Sequence, residues 1–220
     1  TENLLSFFPK ELSVVYYVNS GSEANELAIR MVENFTNRKN ILVSEGGYHG
    51  STSKCIELSH YKFSNKGGKG ESKNTYTFPL TDEFRGKHRG NNCGLKYVNE
   101  IENIIKKMKS NGDLVGALLL EPIISCGGQI ELPKDFLKDV YKIIKKEGGL
   151  CISDEIQTGL GRVGEKFWGF ELYGVIPDIV TIGKSFGNGH PVAAVICKKK
   201  IADKFNNGME FFSSFGGNPV

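Results

Sequence analysis

The sequence predicts an α/β fold with a mostly parallel central sheet, and three observations carry that expectation. Segments of strand character alternate with segments of helical period along the whole length. The longest apolar runs, Leu114–Leu120 and Val192–Cys197, fall well short of the roughly 20 residues a membrane helix needs and suit buried strands. Glycine is over-represented, at 27 of 220 residues. It clusters between apolar runs, at Gly46–Gly47, Gly127–Gly128, Gly159–Gly161, Gly187–Gly189 and Gly216–Gly217, where backbone turns sharply or approaches a ligand.

The elements follow in order. Ser13–Val18 is β-branched and aromatic, hence a strand. Glu23–Phe35 carries Leu27, Ile29, Met31, Val32 and Phe35 near helical spacing, with Ser22 placed as N-cap. Ile41–Val43 is a short strand. Ser64–Thr75 has no apolar period, and Lys66–Gly70 is expected as a surface loop. Tyr97–Met108 reads as an amphipathic helix, Leu114–Glu121 as a buried strand, and Lys134–Lys146 as a helix ended by Gly148-Gly149. Leu150–Asp154, Asp178–Ile182 and Val192–Cys197 are strands, and Ile201–Phe205 starts a helix. With neither repeat nor linker, residues 1–220 read as one large domain.

Composition excludes several classes. Recurring apolar blocks exclude general disorder. A net charge of +3 is too small to argue for nucleic acid or an anionic membrane as partner. Five scattered cysteines without a C-x-x-C pair favour a reduced, intracellular (cytoplasmic) setting, and four histidines with no H-x-x-x-H spacing argue against structural zinc. The chain lacks an initial Met and stops just after a Gly-Gly-Asn turn, so an internal fragment of a longer enzyme is expected.

In a parallel sheet, chemistry collects just after the strands. After the first strand, Asn19–Asn25 places a glycine and hydroxyls at a helix start: an anion site, or an ordinary cap. After Leu150–Asp154, the strand-end Asp154 is either a functional carboxylate or a salt-bridged or capping one. After Asp178–Ile182, Lys184 in a Gly-rich turn is either a desolvated nucleophilic amine or a solvated lysine. Together an anion cradle, a carboxylate and a lysine are what pyridoxal 5'-phosphate (PLP) requires: a lysine for the Schiff base and an Asp for the pyridinium nitrogen.

Asn19–Asn25, Tyr48-His49-Gly50, Glu121-Pro122, Asp154–Arg162, Pro177-Asp178, Gly183-Lys184 and Phe215–Pro219 resemble, in order, the class III PLP-dependent aminotransferases of fold type I. The resemblance covers essentially the whole chain. It implies the central part of a three-layer PLP-binding large domain, with the small-domain segments absent. It implies Lys184 as the Schiff-base lysine and Asp154 as the partner of the pyridinium nitrogen. Gln157 matches the residue near the ring hydroxyl, and Gly21 and Ser22 match the phosphate cradle. Tyr48 and Ile156 match the residues on the two ring faces, and Glu121 an acidic residue supporting the site. His49 matches either a direct contact or a residue that orients its loop. Ser214 stands where the family usually has Thr, whose hydroxyl reaches the phosphate of the neighbouring subunit's cofactor; this implies a homodimer or higher oligomer.

Ser125–Ile130, Gly161–Gly164, Gly187–Val192, Met209–Phe212 and Tyr61-Lys62-Phe63 are similar to a subgroup that includes ethanolamine-phosphate phospho-lyase and its bacterial relatives. Many class III transaminases have Arg-Thr-Gly where this chain has Arg162-Val163-Gly164. The resemblance thus implies a small-molecule amine substrate and either elimination of a β-phosphate or transfer of the amino group to a keto acid. Two other readings stay open. A Rossmann-type nucleotide binder needs G-x-G-x-x-G after the first strand, which Gly21-Ser22-Glu23 does not supply. A catalytically inert fragment would keep the fold alone, and the intact Lys184, Asp154 and Gln157 weigh against loss of function in the parent enzyme.

Overall fold

The computed structural model describes residues 1–209 and 211–218. Its elements are α1 (Glu2–Leu5), β1 (Leu12–Val18), α2 (Gly21–Thr36), β2 (Asn40–Ser44), α3 (Ser53–Glu57), α4 (His60–Phe63), β3 (Thr75–Phe78), α5 (Cys93–Ser110), β4 (Val115–Leu120), β5 (Ile123–Ile124), β6 (Ile130–Glu131), α6 (Phe136–Lys146), β7 (Leu150–Asp154), β8 (Ile179–Ile182), β9 (Ala193–Lys198) and α7 (Lys199–Phe205). Seven strands form one sheet in the order β1-β9-β8-β7-β4-β2-β3, and β5 and β6 pair as a small separate ribbon. The pairs β2–β3, β2–β4, β4–β7 and β7–β8 are parallel, while β9 runs antiparallel to both of its neighbours. The expected mostly parallel sheet is therefore observed, and β9 is its one reversed strand.

Helices cover both faces. On one side α2 and α7 pack through Leu27, Ala28, Met31, Ile201 and Phe205 against Ile152, Ile179 and Val195. On the other, α5 and α6 pack through Tyr97, Ile101, Phe136, Val140 and Ile144 against Leu118, Leu120 and Cys151. Beside them Phe8, Trp168 and Phe170 cover Val180, Ile182, Ala194 and Ile196. Strand β4, buried along its length, has apolar side chains on both faces, as a central strand between two helical layers must. In α6 the buried residues Phe136, Leu137, Val140, Tyr141 and Ile144 follow the helical period.

Several boundaries differ from those expected, each for a local reason. Helix α2 starts at Gly21, and its N-cap is Ser20, whose hydroxyl accepts the Glu23 amide, so the expected capping role of Ser22 is corrected. Helix α6 starts at Phe136 rather than Lys134 because Asp135 before it takes a left-handed φ of 62°. Helix α5 reaches back to Cys93, since Cys93 and Gly94 continue its buried stripe. The edge strand β3 is too short to show a period. The 66–70 loop is exposed, as expected.

This topology fixes where a ligand can bind. The carboxyl ends of β1, β2, β4, β7 and β8 lie along one edge of the sheet. From them emerge the segments that begin at Asn19, Glu45, Glu121, Glu155 and Gly183.

Candidate active site

A cavity of about 160 Å³ opens at that edge, lined by Gly21, Ser22, Tyr48, His49, Gly50, Glu121, Ser125, Asp154, Ile156, Gln157 and Lys184. Nine of the ten residues expected to contact a cofactor therefore surround one space. The tenth, Ser214, is exposed and lies apart from that lining. A second cavity of about 430 Å³ shares Ile156, Gln157 and Lys184 and extends past Gln129, Arg162 and Val163. Two of the motifs that carried the resemblance include Pro219 and Glu210, which fall outside the described residues.

Asp154 ends β7 almost fully buried, and its charge is answered by donors. Asn25 Nδ2 donates to Oδ2 at 2.8 Å, the Ile156 amide donates to Oδ1 at 3.2 Å, and His49 Nδ1 lies 2.8 Å from Oδ2. His49 Nε2, on the far side of the ring, is buried and has no hydrogen-bond partner among the described residues. Asn25 is the residue sequence reasoning missed. Its Nδ2 also donates to the His49 carbonyl at 2.8 Å, and its Oδ1 accepts the Thr181 hydroxyl at 2.9 Å, so one buried amide ties α2, the Tyr48 loop, β7 and β8 together. The clue lay inside Asn19–Asn25: a polar residue on the buried face of a helix needs partners.

Glu121 supports the opposite wall. It accepts the Tyr48 amide at 3.0 Å, the Ser125 amide at 3.3 Å and a very short bond from the Ser125 hydroxyl. Burial pushes its carboxyl above the ordinary glutamate range; the neighbouring His49 opposes this and Asp154 adds to it.

The N-terminus of α2 forms the third wall. The Glu23 and Ala24 amides are taken by Ser20. Those of Gly21 and Ser22 lie ahead of them, at the positive end of the helix dipole. A Cβ at Gly21 would lie 2.6 Å from Ile156 Cδ1, so the glycine lets Ile156 pack directly on the helix start, and a larger residue there would push the Ile156 side chain aside. Gly50, at φ +128°, brings its loop so near α2 that a Cβ would lie 2.9 Å from Ser22 Cα. Ser22 Oγ accepts the Ser51 amide at 3.0 Å.

Lys184 follows β8 with a φ of 44°, a left-handed conformation that a lysine adopts at a cost of about 1–3 kcal/mol. That strain places its side chain on the wall shared by both cavities.

The donor set fits PLP on three counts. The cavity offers an aromatic and an aliphatic side chain, a buried carboxylate beside an amide, and the start of helix α2 with Gly21 and Ser22 on its lining. Lys184 adds the primary amine.

The sequence model of the class III aminotransferases matches residues 1–220, and the chain belongs to that family. It is 42% identical to the ethanolamine-phosphate phospho-lyase homolog 1 of Caenorhabditis elegans over 232 residues, covering all of this chain and 50% of that protein. It is equally 42% identical to an alanine–glyoxylate aminotransferase 2-like protein of Drosophila melanogaster, over 99% of this chain and 45% of that one. The chain thus spans about half the length of the curated relatives it matches. Among solved structures it is similar to a phospholyase from Arthrobacter in complex with phosphoethanolamine, at a TM-score of 0.89 and 32% identity, over 97% of this chain and 50% of that one. It is also similar to a taurine:2-oxoglutarate aminotransferase from Bifidobacterium kashiwanohense in complex with PLP and glutamate, at 0.83 and 25%, over 94% and 48%.

Proposed function

We propose that the full-length protein is a PLP-dependent enzyme acting on a primary amine, with ethanolamine-phosphate phospho-lyase activity. The observation that carries the cofactor reading is the convergence of Lys184, Asp154 and the Gly21–Ser22 helix start on one cavity. The phospho-lyase reading draws support from the 32% identical phospholyase structure with phosphoethanolamine, against 25% for the taurine aminotransferase.

When bound, PLP supplies the aldehyde that captures the amine and the ring that accepts the electron pair left by the Cα proton. This chain's residues would do the rest. Lys184 would hold the cofactor covalently and, once displaced by substrate, its Nζ would take the Cα proton. Asp154 would keep a proton on the ring nitrogen. A carboxylate close to a ring nitrogen favours its protonated, charged form. Asn25 and His49 hold Asp154 in place for that role. Tyr48 and Ile156 would flank the ring, Gln157 would meet the ring hydroxyl, and the Gly21 and Ser22 amides would take the phosphate. Elimination then expels a β-phosphate with the electron pair freed at Cα and needs no acceptor.

The alternative is transfer of the amino group to a keto acid, favoured by the equal identity to an aminotransferase 2-like protein. Supplying ethanolamine phosphate without any keto acid separates the two. Phosphate, ammonia and aldehyde released over many turnovers support elimination. A single turnover, resumed only on adding a keto acid, makes the enzyme a transaminase.

Exposed Ser214, together with Phe212 and Phe215 at 78% and 69% exposure, supports a homodimer in which Ser214 serves the neighbouring subunit's cofactor. Five free cysteines are consistent with a reduced cytoplasmic setting. Among the described residues no helix is long and apolar enough to cross a membrane.

A further inference from the structure

Lys62 neighbours Tyr48, a residue of the cavity wall, and has no acidic partner among the described residues. It sits on the one-turn helix α4, next to buried Phe63, and α4 is tied to the Tyr48 loop. The Tyr61 amide donates to the Gly47 carbonyl at 3.1 Å, and the Gly46 amide donates to His60 Nδ1 at 3.1 Å. Lys62 Nζ lies 5.7 Å from the ring centre of Tyr48 and 5.6 Å from that of Tyr61, and the two rings meet edge to face at 6.4 Å. Tyr48 itself lines the cavity. No ion pair among the described residues includes Lys62. A further residue reports the same neighbourhood. Burial pushes the exposed-edge thiol of Cys126 up and Glu121 adds to this, while Lys184 and Lys62 both pull against it.

We propose that Lys62 is a specificity-determining residue that recognises the phosphate monoester of the amine substrate, an inference that rests on the phospho-lyase reading of this site. The two tyrosines hold its long, flexible side chain by their ring faces, so less freedom is lost when an anion arrives. An ammonium without a carboxylate partner offers its full charge to a dianion, and lysine binds phosphate as a point charge. The site's own carboxylates, Asp154 and Glu121, are engaged by hydrogen bonds at the base of the cavity and do not neutralise it. A neutral-tailed amine gains nothing from Lys62, so the residue would sort substrates by their tail and leave the chemistry at the amine to Lys184.

The test uses the full-length holoenzyme and propyl phosphate, a monoester without an amine, which reads the anion site apart from any reaction. Calorimetric binding of propyl phosphate should weaken about 10–100-fold in Lys62→Met, the loss expected for one charge-assisted contact. Lys62→Arg should recover most of it. With ethanolamine phosphate the Lys62→Met effect should appear in KM and not in kcat. Lys66→Met and Lys69→Met, in the exposed loop nearby, should bind as the parent does. The inference is overturned if Lys62→Met binds propyl phosphate like the parent, if the loop variants weaken it equally, or if the loss falls on kcat alone. An enzyme that binds propyl phosphate through Lys62 yet turns over only with a keto acid would keep this inference and end the phospho-lyase reading.

Discussion

Two buried carboxylates follow one another where β7 ends, Asp154 as its last residue and Glu155 just after it, and they have different partners. Asp154 meets Asn25 and His49 and lines the cavity. Glu155 turns away from it. Glu155 accepts the Thr158 hydroxyl at 2.7 Å, the Gly169 and Phe170 amides at 2.8 Å each, and the Ser153 hydroxyl at 3.2 Å. It thereby pins the 155–170 segment, and with it Trp168, which stacks on Phe8 at 4.2 Å and donates Nε1 to the Phe7 carbonyl at 2.7 Å. Burial alone does not mark a functional carboxylate. What separates the pair is that Asp154, besides its own donors, lines an open cavity, whereas Glu155 meets only groups of the fold.

The largest effect that would break this contrast comes from the cavity side. Lys184→Ala in the full-length protein should leave no cofactor trapped by borohydride and no turnover, while the fold persists. Peptide mapping of the trapped cofactor to another lysine would remove Lys184 from its role.

Next comes the pair itself. Asp154→Asn should retain cofactor and thermal stability near the parent's, yet lose about 10²–10³-fold in turnover, the scale of one preorganised electrostatic contact. Glu155→Ala should do the reverse. It orphans four donors, two of them backbone amides, at about 1–3 kcal/mol for each that stays unsatisfied, so about 3 kcal/mol or more of stability should go. Denaturation curves and steady-state rates on both variants check this. Equal losses of rate in both would show that the two roles are not separate.

The same contrast explains how far the sequence could be read. The alternating elements, the sheet and the strand-end positions of Asp154 and Lys184 were legible, because apolar period and strand-end placement are local properties. The partners were not. Nothing local to Asn25 says that it reaches Asp154 across 129 positions of sequence, and nothing local to Glu155 says that its donors include the Gly169 amide. The choice of Ser20 over Ser22 as cap was also hidden, since both hydroxyls precede the same apolar stripe and only the backbone turn decides between them. Reversal of β9 was not legible either: a buried apolar run looks the same in both directions.

A pH profile sharpens the comparison further. Burial raises the Glu155 carboxyl above its ordinary value of 4.5. The folded chain then holds that proton to higher pH than the unfolded chain does. The stability this confers is present below 4.5 and is lost as pH rises through the folded value. Glu121 contributes with the same sign, through its own burial. Glu155→Gln cannot titrate, so its melting temperature should fall less steeply than the parent's as pH climbs above 4.5, whatever its offset at the lowest pH. Parallel profiles would mean that the four donors already hold Glu155 ionised throughout.

The smallest expected effect separates structure from ligand within one helix start. Ser20 caps α2 through the Glu23 amide at 3.2 Å, whereas Ser22 lies one residue inside the helix and on the cavity wall. Ser20→Ala should cost about 1 kcal/mol, a drop of roughly 2–4 °C in Tm for a unit of this size. Its affinity for PLP should stay near the parent's, because the Gly21 and Ser22 amides still end the helix in the same place. Ser22→Ala removes the acceptor of the Ser51 amide and a hydroxyl from the cradle, so it should weaken PLP binding more than it lowers Tm. Both are measured on the full-length protein, by thermal denaturation of the apo form and by titration of the cofactor's visible absorbance. If the Ser20 variant loses the cofactor while the Ser22 variant keeps it, the anion cradle lies before the helix and not at its first turn.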